Sequence, residues 1–126
     1  MTGTTIAARM LIRITGTLLI ILGIVLWTGH GRGLLSLHML LGVVLVFALW
    51  VLAGLGAAAG VSRATVLLAL VWGIVVITLG MLQTRLLPGR AHWVIQVLHL
   101  LVGFGAIGLG EGLAGRIQRM RPAAIQ

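Results

Sequence analysis

The sequence lacks cysteine, which excludes disulfide bonds, iron–sulfur clusters and thiolate metal sites. Acidic side chains are almost as scarce, because Glu111 is the single carboxylate residue against nine basic residues, all of them arginine. These arginines flank apolar segments, a position typical of membrane topology and lipid headgroup contact. The basic excess therefore indicates a membrane surface, and nucleic acid is not expected as a partner.

The chain is rich in apolar side chains, since 60% of its 126 residues are hydrophobic and only 8% are charged. A water-soluble domain of this size has too little interior to bury that fraction. Four apolar segments are each long enough to cross a hydrocarbon core of about 30 Å. We predict an all-α integral membrane protein, a single transmembrane domain folded as an up-down-up-down four-helix bundle, with spans at about 10–27, 34–57, 64–82 and 91–113.

The start of the chain combines a short polar segment with the first apolar stretch. Residues 1–9 are small and polar and are predicted to form a short disordered lead. No small-x-small cleavage site follows the first apolar stretch, so we expect a retained helix rather than a removed signal peptide.

Arginines are more numerous beside the termini than on the opposite side: Arg9, Arg13, Arg63, Arg116, Arg119 and Arg121 against Arg32, Arg85 and Arg90. The positive-inside rule then predicts cytoplasmic termini, and we expect a bacterial inner membrane.

Two halves of the chain, at about 10–58 and 64–114, follow the same pattern. In each, a helix with two glycines leads through a Gly-Arg turn to a helix containing His-x-x-x-Gly. The pattern predicts two repeated helical hairpins in the same orientation, related by an axis along the membrane normal. Chance similarity is the alternative, because apolar, glycine-rich helices align readily with one another. In such a bundle the second and fourth helices lie diagonally across the core.

Each second helix of a hairpin carries a histidine and, four positions later, a glycine: His38 with Gly42, and His99 with Gly103. Helical periodicity puts each pair on one face. Since an imidazole in hydrocarbon is costly and haem iron accepts two neutral imidazoles, we predict one haem b ligated by both histidines. Glycines would leave room for the macrocycle: Gly42, Gly103, Gly16, Gly23, Gly73 and Gly80. The alternatives are hydrogen bonds from hydroxyl or carbonyl groups to the imidazoles, and close helix packing at the glycines.

Polar residues at the non-cytoplasmic side have candidate roles of their own. Arginines and other polar groups there are predicted partners for haem propionates: Arg32, Arg90, Arg85, His30, His92 and Trp93. A second haem held by His30 and His92 is a minor alternative, because His30 lies in a glycine-rich turn.

Three further polar residues are candidates for binding a quinone headgroup: Gln83, Thr84 and Gln96. Each of them can equally satisfy neighbouring backbone groups. Glu111 is expected to form an ion pair with Arg13 or Arg116.

The two histidine motifs resemble those of haem A synthase, whose two four-helix halves each place a histidine on the second and fourth helices near the outer side. The match falls on His38 and His99, each preceded by leucine and followed by apolar residues. The chain is also similar to a reduced di-haem transmembrane cytochrome b that lacks the second, inner pair of histidines. The resemblance implies haem ligation. It implies no haem-modifying chemistry, because Leu35 lies three positions before His38, where the synthase family has a glutamate shortly before this histidine.

The leading interpretation is a small b-type cytochrome that transfers electrons near the non-cytoplasmic side, with quinone or as a subunit of a larger redox complex. Such a protein is an electron carrier more than a catalyst on its own. The alternative is a cofactor-free structural or assembly subunit whose histidines form interhelical hydrogen bonds. A small four-helix exporter is disfavoured, because such exporters rely on a membrane-embedded carboxylate in the first helix, and the single acidic residue lies near the other end of the chain.

Overall fold

A computed structural model describes residues 2–120 of the protein. This part of the chain is all-helical and has no strand. Short 3₁₀ turns at Arg32–Leu34 and Gln83–Arg85 lie in two of the connections. The four long helices are α1 Gly3–Trp27, α2 Leu35–Ala58, α3 Arg63–Leu82 and α4 His92–Met120.

Local sequence signals explain where the helices begin. The hydroxyl of Thr2 accepts a hydrogen bond from the Thr5 backbone N–H at 3.3 Å, which caps α1. Ser62 caps α3 in the same way through Thr65. The turn between α2 and α3 contains Gly60 with a φ of 85°, a conformation that glycine adopts without strain.

Two helices extend beyond the predicted spans. Helix α1 begins at Gly3, so the prediction of a disordered lead is wrong for residues 3–9. Helix α4 continues to Met120, beyond the predicted end of the fourth span. Hydropathy misses both extensions because arginines interrupt the apolar runs, yet one face of each extension packs inside the bundle through Ala8 and Ile117. All four helices are long and apolar enough to cross a membrane.

The helices form a closed ring in chain order. Each packs against the next, and α1 also packs against α4. Helices α2 and α4 touch across the middle, whereas no contact joins α1 to α3 within residues 2–120. The bundle is therefore a rhombus in cross-section, and the two histidine-bearing helices lie on its short diagonal.

Packing differs between the two ends of this bundle. The half that contains the start of α1 and the end of α4, here called the packed half, holds the fully buried side chains Ile12, Leu49, Leu52, Leu113 and Ile117. The other half, here called the open half, contains the connections 28–34 and 83–91. In the open half, α2 has no buried residue before Leu45. The open half is where the sequence places both candidate histidine ligands.

Candidate functional site

The rings of His38 on α2 and His99 on α4 face each other in the open half. Their centroids are 6.2 Å apart, and their planes are inclined by 52°. Both side chains are half-buried. The short diagonal of the rhombus brings the rings together, because it lets α2 and α4 approach without an intervening helix.

Neither histidine ring is hydrogen-bonded to the protein through its Nδ1 atom. The Nδ1 atoms of His38 and His99 are buried and have no hydrogen-bond partner in the described part of the chain. A buried polar atom without a partner costs on the order of 1–3 kcal/mol. Hydroxyl and carbonyl groups of the described residues therefore do not satisfy these nitrogens.

The distance between the rings matches a pair of metal ligands. An imidazole nitrogen binds a transition metal at about 2 Å, and the ring centre lies roughly 1 Å further out, so two imidazoles on opposite sides of one metal have centres about 6 Å apart. The observed 6.2 Å agrees with this value. Tilted rings in direct contact also fall in this range, so the distance permits a metal between the rings without requiring one. Two imidazoles with unpartnered nitrogens are the donor set that fits such a metal.

Two glycines lie against the histidine rings from the flanking helices. A Cβ atom added to Gly23 on α1 would be 3.6 Å from Cε1 of His38, and one added to Gly80 on α3 would be 3.4 Å from Cε1 of His99. The two hairpins thus make the same contact at equivalent positions. A side chain larger than alanine at either glycine would displace the ring.

The histidines line a cavity of about 260 Å³. Gly42 and Gly103 also line it, and a Cβ atom at either would meet no atom within 4 Å. The volume is just below the range of about 300–1,000 Å³ typical of ligand pockets. The cavity is open at the sides, because lining residues such as Met81 and Val43 are 64% and 55% exposed. A flat apolar group wider than the cavity can therefore extend between the helices.

The two remaining predicted glycines have different surroundings. Gly16 lines the cavity, but the side chain of Ile107 covers this glycine. The Cδ1 atom of Ile107 would lie 2.8 Å from a Cβ atom added to Gly16. Gly73 does not line the cavity, because Trp50 packs directly over it. These two glycines allow helices to approach closely, which was the alternative reading of the glycine pattern.

Two tryptophans inside the bundle were missed by the sequence analysis. The indole N–H of Trp50 donates to the Leu70 carbonyl at 3.2 Å, and that of Trp72 donates to the Val102 carbonyl at 2.9 Å. In both cases the ring covers a glycine three residues beyond the acceptor, at Gly73 and Gly105 respectively. Tryptophan in mid-span together with a glycine on the next helix is the signal that would have identified these contacts.

The predicted outer partners lie away from the cavity. Arg32 and Arg90 are exposed and do not line it. The His30 ring is hydrogen-bonded to the Thr28 hydroxyl at 3.2 Å, and the His92 ring donates to the Leu86 carbonyl at the same distance. Within residues 2–120, no three or more histidine, cysteine or acidic side chains cluster as metal ligands. Nothing in this arrangement joins His30 and His92 into a second site.

Two of the three residues considered for a quinone headgroup do line the cavity. Gln83 and Gln96 contribute to its wall, whereas Thr84 is exposed and does not. Both glutamines belong to the second hairpin and lie towards the end of the open half that contains the connections 28–34 and 83–91. Besides the two histidines and the indole N–H of Trp27, they are the only polar side chains among the described residues of the cavity wall.

Glu111 lies at the opposite end, in the packed half. Its carboxylate accepts hydrogen bonds from Arg9 at 2.7 and 2.9 Å and from Arg13 at 2.7 and 2.9 Å. The predicted pairing with Arg13 is confirmed, and Arg9 takes the second place that had been considered for Arg116. This ion pair joins α1 to α4 and is remote from the histidines.

Comparison of the chain with protein families, with curated proteins and with solved structures found no match. The arguments for function therefore rest on the site itself.

Proposed function

We propose that the protein binds one haem b within the membrane, with His38 and His99 as its two axial ligands. The observation that carries this proposal is the pair of imidazoles 6.2 Å apart, each with an unpartnered buried nitrogen, beside an apolar cavity. Gly23, Gly80 and the open positions at Gly42 and Gly103 keep side chains away from the space around the rings. The proposal agrees with the resemblance to one half of haem A synthase and to a reduced di-haem cytochrome b.

The proposed task is electron transfer. A haem held by His38 and His99 would supply one-electron chemistry through the two oxidation states of its iron, and the two imidazoles would leave no ligand position free for a substrate. The residues of this chain hold the group and exclude water from it with apolar walls. We therefore regard the protein as an electron carrier rather than as a catalyst on its own.

The setting of the site within the membrane is part of the proposal. The charge distribution favours cytoplasmic termini and a bacterial inner membrane, which would put the open half on the non-cytoplasmic side. The arginines supporting this orientation lie at helix ends, where they can contact lipid headgroups. A lipid-soluble quinone or other subunits of a redox complex are the proposed exchange partners.

An absorption spectrum of the detergent-purified protein tests the haem assignment. We expect a Soret band, a sharp α band on reduction, and the low-spin electron paramagnetic resonance signal of bis-imidazole iron. His38→Ala or His99→Ala should each abolish this signal, while His30→Ala should leave it unchanged. If both variants retain the wild-type signal, the ligand assignment is wrong. If the protein contains zinc or copper, or no cofactor at all, the haem proposal is overturned, and the last result would support a cofactor-free subunit.

A further inference from the structure

The wall of the cavity is built from equivalent positions of the two hairpins. Gly23 matches Gly80, Gly42 matches Gly103 and His38 matches His99, and five apolar pairs match as well, whereas four lining residues have no counterpart in the wall: Gly16, Trp27, Leu45 and Ile107. The apolar pairs are Leu19 with Val76, Ile20 with Ile77, Ile24 with Met81, Met39 with Leu100 and Val43 with Phe104. The cavity thus has approximate two-fold symmetry in its chemistry.

Among the matched pairs, two differ in polarity, and both differ in the same way. Leu26 of the first hairpin corresponds to Gln83 of the second, and Leu35 corresponds to Gln96. All four residues line the cavity. At both positions the second hairpin has an amide where the first has leucine, and both lie at one end of a wall whose other polar side chains are the two histidines and Trp27.

The two amides lie close to the proposed ligand along the chain. Gln96 is one helical turn before His99 on α4, and Gln83 begins the 3₁₀ turn shortly after Gly80, the glycine that contacts the His99 ring. Both side chains are half-buried. Polar groups in an apolar wall need hydrogen-bond partners. Among the described residues, the histidine hydrogen bonds at this end of the bundle join His30 to Thr28 and His92 to Leu86, and neither glutamine takes part in them.

A ligand that fits this wall has an apolar body and one polar edge directed to the outer end. Resting on the haem site proposed above, we propose that Gln83 and Gln96 bind the carboxylates of the haem by donating amide N–H hydrogen bonds. A hydrogen bond from a neutral donor to a carboxylate is charge-assisted and stronger than one between two neutral groups. The arginines first considered for this role are exposed and lie outside the cavity, as Arg32 and Arg90 show.

A thermodynamic cycle between protein and ligand tests the assignment. The apoprotein is titrated with haem b and with its dimethyl ester, in which the carboxylate charges are removed. The variant is Gln83→Leu combined with Gln96→Leu, because leucine is the residue at both equivalent positions of the first hairpin. We expect the variant to bind haem b at least about tenfold more weakly than the wild type, since each lost charge-assisted bond is worth roughly a factor of ten or more. Affinity for the ester should change much less.

A transplanted variant provides the matched control. Leu26→Gln and Leu35→Gln added to the double variant move the two amides to the first hairpin without changing the composition of the wall. Because the other matched pairs of the wall are alike in polarity, this quadruple variant should recover the preference for haem b over its ester.

The outcomes separate this inference from the haem proposal itself. Failure of the wild type to bind either porphyrin overturns the proposed function. Binding with the same affinity in wild type and double variant overturns the role of the amides, and so does an equal loss for acid and ester, which indicates packing alone. Unchanged porphyrin affinities with slower oxidation of the reduced protein by a quinone also overturn it, because the amides then serve a second ligand.

Discussion

The packed half and the open half of the bundle use glycine for opposite purposes. In the packed half, a neighbouring side chain covers each inward-facing glycine: Trp50 lies on Gly73 and Ile12 on Gly110. In the open half, Gly23 and Gly80 face only the histidine rings, and Gly42 and Gly103 face empty space. The same residue brings helices together at one end and keeps them from filling the interior at the other.

This difference indicates that the packed half stabilises the bundle, whereas the open half leaves space for a ligand. Buried leucines, isoleucines and tryptophan–glycine contacts in the packed half determine how the helices associate. The open half lacks such packing. Its buried imidazole nitrogens have no hydrogen-bond partners among the described residues, which lowers its stability further. A half that is incompletely packed by its own side chains is ready to gain stability from a ligand, because a ligand that binds only the folded state stabilises it.

The largest expected effect comes from filling the open half. Gly103→Leu places a side chain in the cavity, where a Cβ atom meets nothing within 4 Å. We expect complete loss of the haem spectrum, while the melting temperature of the cofactor-free protein stays the same or rises because the added side chain fills a void. Absorption spectra and thermal unfolding followed by circular dichroism measure the two effects.

Gly108→Leu is the matched control, because Gly108 lies on the same helix, is exposed and does not line the cavity. It should leave haem binding at the wild-type level. Retention of haem by the Gly103→Leu protein would show that the cavity is not the binding site, whatever its shape.

The four helices could be predicted from the sequence, but the division into a packed and an open half could not, and the reasons are physical. The apolar runs predicted the helices, and the repeat of the two hairpins placed His38 and His99 at the same depth on helices that lie diagonally across the core. The pattern could not separate Gly73, which packs on Trp50, from Gly80, which contacts His99. That distinction depends on which residue of the next helix lies opposite, and helix rotation is decided by tertiary packing rather than by local sequence.

The second largest effect is expected in the packed half. Gly73→Ala adds a methyl group that collides with the indole of Trp50 and lies 2.9 Å from Cγ1 of Val46. The indole cannot move aside without losing its hydrogen bond to the Leu70 carbonyl. We expect a loss of about 1–3 kcal/mol in the free energy of unfolding, the usual cost of overpacking a core. Reversible unfolding in mixed detergent measures it.

Gly80→Ala on the same helix serves as the comparison, because its methyl group would make an ordinary contact of 3.4 Å with His99. It should leave stability unchanged or raise it by up to about 1 kcal/mol, because the methyl group disturbs no packing and alanine has a higher helix propensity than glycine. Equal destabilisation by both alanines would mean that the two halves do not differ in packing tolerance.

A smaller effect is expected from the tryptophan hydrogen bond alone. Trp72→Phe keeps an aromatic ring against Gly105 but removes the N–H that donates to the Val102 carbonyl at 2.9 Å. We expect a loss of about 1 kcal/mol, typical of a single hydrogen bond. Trp93→Phe, at an exposed position, should be neutral in the same unfolding measurement. A neutral Trp72→Phe would show that the ring, and not its hydrogen bond, holds α3 to α4.

The smallest effect is expected from the ion pair at the far end of the packed half. Glu111→Gln removes the charge shared by Arg9 and Arg13, so α1 and α4 lose a link, but the groups are partly exposed and solvent weakens their attraction. The melting temperature should fall by less than in Gly73→Ala, and added salt should narrow the gap from the wild type. Arg116→Gln, a charge change outside this pair, is the control for loss of charge on α4.

The haem spectrum of Glu111→Gln should be identical to that of the wild type, because distant sites without shared partners act independently. For the same reason, the stability changes of Gly103→Leu and Glu111→Gln should add in the double variant of the cofactor-free protein. If removing Glu111 alters the spectrum while the helices stay folded, the ion pair sets the spacing of α2 and α4 at the histidines. The packed half would then be part of the binding site rather than only its support.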